Sequence, residues 1–267
     1  MTGSEQGSHP AERDNTGVNA LQRGLRILEC FGSDGRRLTL GQVTERTGLS
    51  APTVWRYCYT LRKLGYLVWH SDETLSVGFP ALGLGFAAAS DLSFGELALP
   101  HLQSLAERFG CTAILGEAVP PDIIYLQVSS RHRITFSDFR AGSRDPMAFS
   151  PAGWACLAGM AQARQAPVLA AMARQNFRLP ASFEQATSEL RAKGYMVTRG
   201  LIHPELVAIS IPLQPPGSGR LYAVTCAEHE SALHDAAHAE LGHALLEVGQ
   251  ACCQYLAGLL AADGRPG

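Results

Sequence analysis

Residues 41–67 read GQVTERTGLSAPTVWRYCYTLRKLGYL, and whether this stretch packs a core or meets a polyanion decides what kind of protein the chain is. Gly48 divides it into two short helical patterns. Just upstream, Thr39 and Gln42 have the Thr-x-x-Gln spacing of a capping box, so the first helix opens there and runs through Thr47. Ser50 stands where the second helix needs an N-cap, and Pro52 falls in its first turn, where a missing N–H is harmless. Val54, Tyr57, Cys58, Leu61 and Leu64 recur at helical spacing and are expected inside. Ala51, Thr53, Trp55, Arg56, Tyr59 and Arg62 are left for the outside, and Gly65 ends the helix.

The flanks give this pair of helices its context. Asn19–Phe31 is an amphipathic pattern with Leu21, Leu25, Ile27, Leu28 and Phe31 expected inward and Arg23 and Arg26 on the wetter side. After Gly65, YLVWHSDETLSV reads as two short strands around a polar turn at His70–Glu73. Helix, helix–turn–helix and β-hairpin in that order make a winged helix. A helix that follows a tight turn lays its first residues in the major groove. There Ala51 and Thr53 are small enough for close approach, and Arg56 reaches a phosphate or a guanine edge. Trp55 and Tyr59 offer flat surfaces to sugars and thymine methyl groups. The expected DNA-facing set is Ser50, Ala51, Pro52, Thr53, Trp55, Arg56 and Tyr59, with His70 from the wing. The alternative is a winged helix that docks a protein, its aromatics half-buried.

Charge placement agrees with the polyanion reading. The net charge is −2, but residues 19–78 hold eight Lys/Arg against five acids, and residues 79–267 hold thirteen against sixteen. A basic module thus precedes an acidic one. At 267 residues the chain has room for two domains, and 46% hydrophobic with 17% charged residues describes folded rather than disordered sequence. Residues 1–18 lack the apolar segment of a signal peptide and read as a disordered tail. The run FPALGLGFAAA at 79–89 is too short to span a bilayer. Seven Cys without a CxxC pair read as free thiols in a reducing compartment, so a cytoplasmic location away from any membrane is expected.

Beyond the 79–89 run, Leu92–Phe109 is amphipathic, with Leu97, Leu102, Leu105 and Phe109 inward. TAILGEAV and IIYLQVS read as a hairpin, and RITFSDFRA as a further strand. Ser150 and Pro151 start a helix as N-cap and first helical residue, FEQATSELRAKG is another, and ELVAISIPL and RLYAVTCA are strands around a Pro/Gly-rich turn. A last long helix is expected from about Ser231 to Ala261. Antiparallel strands interleaved with helices make the class α+β.

Chemistry finds little purchase. Cys226, His229, His234, His238 and His243 lie near Glu230 and Glu240, and the spacing of His234 and His238 suits a metal on one helical face. No HExxH or CxxC accompanies them, so a solvated helix face is the expectation and no metal is assigned. Cys252–Cys253 reads as small buried hydrophobes, with redox sensing the alternative. Neither GxSxG, GxGxxG nor a phosphate loop is present. No catalytic residue, no enzyme and no cofactor is therefore expected.

ALQRGLRILECF, the run from Leu38 to Leu67, and LSVGFPALGLG resemble the amino-terminal domain of the IclR family of bacterial transcription regulators. The resemblance continues through AGSRDPMAFSPAGWACLAG, LRAKGYMV, VAISIPL and GRLYAVTCA, and covers the chain after its tail. It implies a winged helix-turn-helix over 19–78, a dimer-forming linker helix over 79–91 and a GAF-like effector-binding domain over 92–267. The implied partners are double-stranded operator DNA, a small-molecule effector and further copies of the chain, as a homodimer or a dimer of dimers. Carried over by position, effector contacts fall on Ile134, Ser137 and Asp145, on Pro151 and Ala152, and on Thr198, Ala208, Thr225 and Ala227. Relatives that bind small acids tend to be acidic at Thr198, with Cys at Ala208 and Ser at Ala227, and Trp154 replaces a usual Lys. The implied effector is a small organic acid with an apolar, even aromatic, body. Its carboxylate would meet the helix start, with Phe149, Trp154 and Ile209 as nearby apolar surface.

Overall fold

Thr39 and Gln42 do what their spacing requires. In the computed structural model the Gln42 amide donates to Thr39 Oγ1 at 3.3 Å while Gln42 Oε1 accepts from the Thr39 amide at 2.9 Å. The structure describes residues 18–32, 37–89, 93–130, 139–216, 219–233 and 235–262. It divides into two compact units, residues 1–84 and 85–267.

The first unit runs α1 (Asn19–Glu29), β1 (Leu38–Thr39), α2 (Leu40–Thr47), α3 (Ala51–Lys63), β2 (Leu67–Trp69) and β3 (Thr74–Val77). Gly48 closes α2 in the left-handed region at φ 64°. Ile27, Phe31, Leu38, Val43, Val54, Cys58, Leu67 and Leu75 form one core. The sheet order is β1-β3-β2, antiparallel throughout. β1 was not legible, since two residues are too few to show alternation. Two packing expectations fail. Leu21 and Leu25 are 63% and 48% exposed, because α1 turns Gly24, Ile27 and Phe31 inward and the remaining leucines fall beside that narrow face. Leu64, at the C-cap of α3, is also exposed rather than part of the buried stripe.

α4 (Pro80–Ala89) carries no charged residue. The second unit continues with α5 (Ser93–Phe109), β4 (Thr112–Val119), β5 (Asp122–Ser130), β6 (Arg144–Pro146), a 3₁₀ turn (Met147–Phe149) and α6 (Pro151–Gly159). Then follow α7 (Gln162–Arg174), α8 (Ser182–Lys193), β7 (Met196–Arg199), β8 (Leu206–Leu213), β9 (Tyr222–His229) and α9 (Asp235–Ala262). Six strands in the order β6-β5-β4-β9-β8-β7 form an antiparallel sheet, so the α+β class holds.

Period-two alternation gives the sheet two cores. Ala113, Leu115, Val207, Ile209 and Val224 pack with Leu102, Leu105, Leu241 and Leu245 of α5 and α9. Ile114, Tyr125, Met196 and Ala223 pack with Ala152, Trp154 and Leu157 of α6 and Phe183 of α8. The strand expected in RITFSDFRA falls mostly at 131–138, outside the described residues. α9 starts at Asp235 rather than near Ser231, because the amides of Ala232 and Leu233 turn back to the His229 carbonyl. No helix among the described residues is long and apolar enough to cross a membrane.

Candidate nucleic-acid interface and effector cavity

The exposed surface of α3 is aromatic and cationic. Trp55 and Tyr59 are 51% and 40% exposed, and their rings stack at 5.3 Å with planes 10° apart. Lys63 Nζ lies 5.0 Å from the Tyr59 ring centre, and the Arg62 guanidinium 6.0 Å from that of Trp69. Ala51, Pro52 and Arg56 are exposed and Thr53 is half-buried. Ser50 is the N-cap by position, but its hydroxyl pairs with that of Thr53 at 2.8 Å instead of capping a backbone amide.

His70 precedes the tip of the hairpin, and its Nε2 pairs with Ser76 Oγ at 2.8 Å, so the ring is held within the wing and half-buried. The tip itself is acidic, with Glu73 at φ 58° and Asp72 beside it. The Thr74 hydroxyl donates to Asp72, and Arg37 lies 3.6 Å away; these hold the Asp72 carboxyl below the usual carboxylate range.

In the second unit, strand register assembles the other candidate site. Thr198 pairs with Ala208, Ala208 with Ala227, and Ala227 with Thr112. The adjacent row joins Ser210, Thr225 and Ile114, and the Ser210 and Thr225 hydroxyls pair at 2.9 Å. The start of α6 lies against this face, with Ser150 Oγ accepting from the Gly153 amide at 3.3 Å. Pro151, Ala152, Thr225 and Ala227 therefore line one cavity together with Ser150, Ile114 and Tyr125. Phe139 and Ile202 close it to about 10 Å³, room for no more than one water.

Asp145 reaches the cavity through Tyr125, whose hydroxyl donates to Asp145 Oδ2 at 2.7 Å and lies 3.1 Å from Ser150 Oγ. Burial pushes the phenol pKa up and the Asp145 charge adds to this, so Tyr125 stays a neutral donor. Thr198 and Ala208 share the sheet face but do not border that cavity. Thr198 instead borders a cleft of about 370 Å³ between α8 and β7, with Trp154 and Arg199. Ile134 and Ser137 lie outside the described residues.

The expected apolar neighbours divide. Ile209 is on the opposite face of the sheet, in the core under α5 and α9. Phe149 is 48% exposed, edge-on to Phe177. Trp154 is buried edge-on to Phe183, its Nε1–H donating to the Ala148 carbonyl at 2.8 Å. Sequence reading missed Tyr125 and Phe139, which stand edge-to-face at 5.3 Å. A register shift opposite Leu115/Gly116, between Tyr125 and Gln127, sets which way Tyr125 points, and the apolar run around it carries no mark of such a bulge.

The histidines expected on a solvated face have separate partners. His229 Nδ1 pairs with Ser231 Oγ at 2.7 Å, and Nε2 lies 3.2 Å from Glu205. His238 Nε2–H donates to the Leu233 carbonyl at 3.0 Å, Glu240 pairs with Arg108, and His243 packs edge-on to Tyr195. His234 lies outside the described residues. Among the described residues no three such side chains are grouped to hold a metal. All seven cysteines are free thiols, and burial lifts Cys252 to about 11.

Residues 20–71 match the family model of the IclR helix-turn-helix domain, and residues 86–254 match that of the bacterial transcriptional regulator IclR C-terminal domain. The chain belongs to the IclR family of transcriptional regulators. A relative from Comamonas testosteroni, the HTH-type transcriptional regulator TsaQ1/TsaQ2, is 30% identical over 77% of this chain and 76% of its own. An IclR family regulator from Brucella abortus has a crystal structure that superposes with a TM-score of 0.75, at 25% identity over 91% of this chain and 94% of its own. The fold is shared too by an IclR homologue from Microbacterium hydrocarbonoxydans complexed with 4-hydroxybenzoate, at TM-score 0.71, with 20% identity over 90% of this chain and all of its own. The chain is thus an effector-responsive transcription regulator with a helix-turn-helix DNA-binding domain.

Proposed function

We propose that this IclR-family chain binds operator DNA as a symmetric dimer, with residues 19–78 reading DNA, 79–91 as linker helix and 92–267 taking the effector. The observation that carries the DNA reading is the exposed face of α3, where Arg56 stands beside a stacked aromatic pair at the head of a helix entered through a tight turn. Ala51, Pro52, Thr53, Trp55 and Tyr59 belong to the same DNA-facing surface, and Ser50 fixes the Thr53 hydroxyl. The role is regulatory rather than enzymatic, and working on the chromosome places it in the cytoplasm.

Arg56→Ala should weaken operator binding by about 1–3 kcal/mol, on the order of 5- to 150-fold, with the fold intact because Arg56 lies off the Val54–Cys58 stripe. Loss of a base contact relaxes one operator position; loss of a phosphate contact weakens all sequences evenly. Binding isotherms that coincide with the parent's at every salt concentration would falsify the groove assignment.

The effector proposed is a small organic acid with an apolar body, bound between Pro151, Ala152, Thr225 and Ala227. Helix α6 points its positive end at the cavity. Pro151 has no amide hydrogen, the Gly153 amide goes to Ser150 Oγ and that of Trp154 to the Ser150 carbonyl, so the carboxylate meets the Ala152 amide. The 4-hydroxybenzoate complex of the Microbacterium homologue supports an aromatic body.

With about 10 Å³ free, such a ring enters only where Phe139 leaves its edge-on position against Tyr125. Thr198 and Ala208 then form the far wall on the same sheet face. In thermal melts, an aromatic acid at a hundredfold excess over its Kd should stabilise the protein by about 2.7 kcal/mol. Phe139→Ala should make half-maximal stabilisation occur at lower acid concentration, and Ala152→Asp should remove the response while operator binding persists. Melting shifts from neutral metabolites alone, across a panel including 4-hydroxybenzoate, would reject the acid.

A further inference from the structure

Beside the base-reading ridge of α3 lies a cleft of about 430 Å³ between α3 and the wing, bounded by Trp55, Tyr59, Arg62, Trp69, His70 and Ser71. We propose that this cleft seats the sugar-phosphate backbone of one operator strand, with Arg62 on a phosphate and the Trp69 and Trp55 rings against deoxyribose, so that it positions α3 without reading sequence. The inference rests on the DNA-binding role given above and adds to it Arg62 and Trp69, neither of them in the DNA-facing set, as the residues that clamp a strand.

Helix geometry decides which side chains can reach a strand. At 3.6 residues per turn, Pro52, Arg56, Tyr59 and Lys63 form the ridge opposite the buried Val54–Cys58 stripe, while Trp55 and Arg62 share the flank that faces the wing. A helix about 10–12 Å across in a groove about 12 Å wide must press its flanks against the groove walls. Those walls are sugar and phosphate. The ridge therefore meets bases while the Trp55–Arg62 flank meets a strand.

The chemistry of the cleft fits that strand. Its lining has one guanidinium, the rings of Trp55, Tyr59 and Trp69, and the polar side chains of His70 and Ser71, with no carboxylate. The nearest acid on the hairpin, Asp72, lies beyond the lining and is occupied by Thr74 and Arg37. Arg62 is held over the Trp69 ring, and a guanidinium lying on an aromatic face keeps its N–H edge for a phosphate. The His70–Ser76 bond fixes the His70 ring on the wing side of the cleft.

The test uses the full-length protein, the duplex it selects from a random pool, and an unrelated duplex of equal length. Arg62→Ala should flatten the slope of log affinity against log salt by about one per bound subunit, so its loss between 50 and 200 mM salt is about 3.5-fold smaller per subunit. Its affinities for the two duplexes should fall by the same factor, leaving their ratio unchanged. Hydroxyl-radical cleavage should show backbone positions protected by the parent and exposed in Arg62→Ala, and Trp69→Phe should retain the protection. An unchanged salt slope and footprint in a folded Arg62→Ala protein overturns the proposal, as does a changed preference at a single base pair. A parent that fails to prefer its selected duplex fails the DNA reading itself, which is a separate result.

Discussion

Leu84→Glu should convert the protein to folded monomers and lower its operator affinity by about 10²- to 10⁴-fold. Among the described residues of the first unit, several large apolar side chains face solvent. Phe79 is 89% exposed, Leu82 55% and Leu84 57%, on or beside a helix without a single charge. Val18, Leu21 and Leu25 add a second exposed apolar stripe along α1. A two-fold seam brings the same patch of each copy together, so the single change Leu84→Glu places two carboxylates in an apolar contact. Burying them unpaired costs several kcal/mol, enough to open a modest interface. A monomer then loses the linkage between half-sites, which is where avidity of that size comes from. Because Leu84 is exposed within its own unit, the melt of the winged helix should change little. Light scattering at micromolar concentration checks this, and a Leu84→Glu protein that remains dimeric and binds as the parent does would remove α4 from the seam.

Gly153→Ala should destabilise the effector domain by about 3 kcal/mol or more, the opposite of what the exchange does in an ordinary helix. There it gains up to about 1 kcal/mol. Here a Cβ at Gly153 would stand 2.5 Å from both Cα and O of Met147, backbone atoms that no rotamer change can move. α6 rests on the Met147–Phe149 turn at this point, and Trp154 donates to Ala148 from the next position. Pushing the two apart breaks that bond and shifts Ser150–Ala152, so the acid-dependent melting response should vanish as well. The check is calorimetry with and without ligand, and an unchanged melting temperature would mean that α6 is free to move away from the turn.

How much of this was legible follows the physics of each signal. The capping box at Thr39–Gln42, Gly48, the β4–β5 hairpin and Ser150–Pro151 were readable because each is fixed by residues close together in sequence. α7 was not, since Pro167 interrupts its pattern, and β6 and β7 are only three and four residues long. Leu21, Leu25 and Leu64 were placed inside because periodicity says only which residues share a face; exposure also depends on how wide a face the neighbours cover.

That Pro151, Ala152, Thr225 and Ala227 border one cavity was legible in outline. Tyr125 and Phe139 were missed because a bulge and a tertiary ring contact decide them. Ile209 was misplaced by one residue of alternation, which is a whole sheet thickness in space. The turn at His70–Glu73 was legible, and the bond from His70 to Ser76 was not, because it joins side chains across the hairpin.

The most direct measurement is the affinity of the full-length protein, at about 150 mM salt, for the palindromic duplex it enriches from a random pool against a scrambled duplex of the same composition. An α3 that reads bases from two linked half-sites predicts a preference of at least about 10³-fold, reduced at defined positions in Arg56→Ala. Equal affinity for the two duplexes, or a preference that Arg56→Ala leaves untouched, would contradict it.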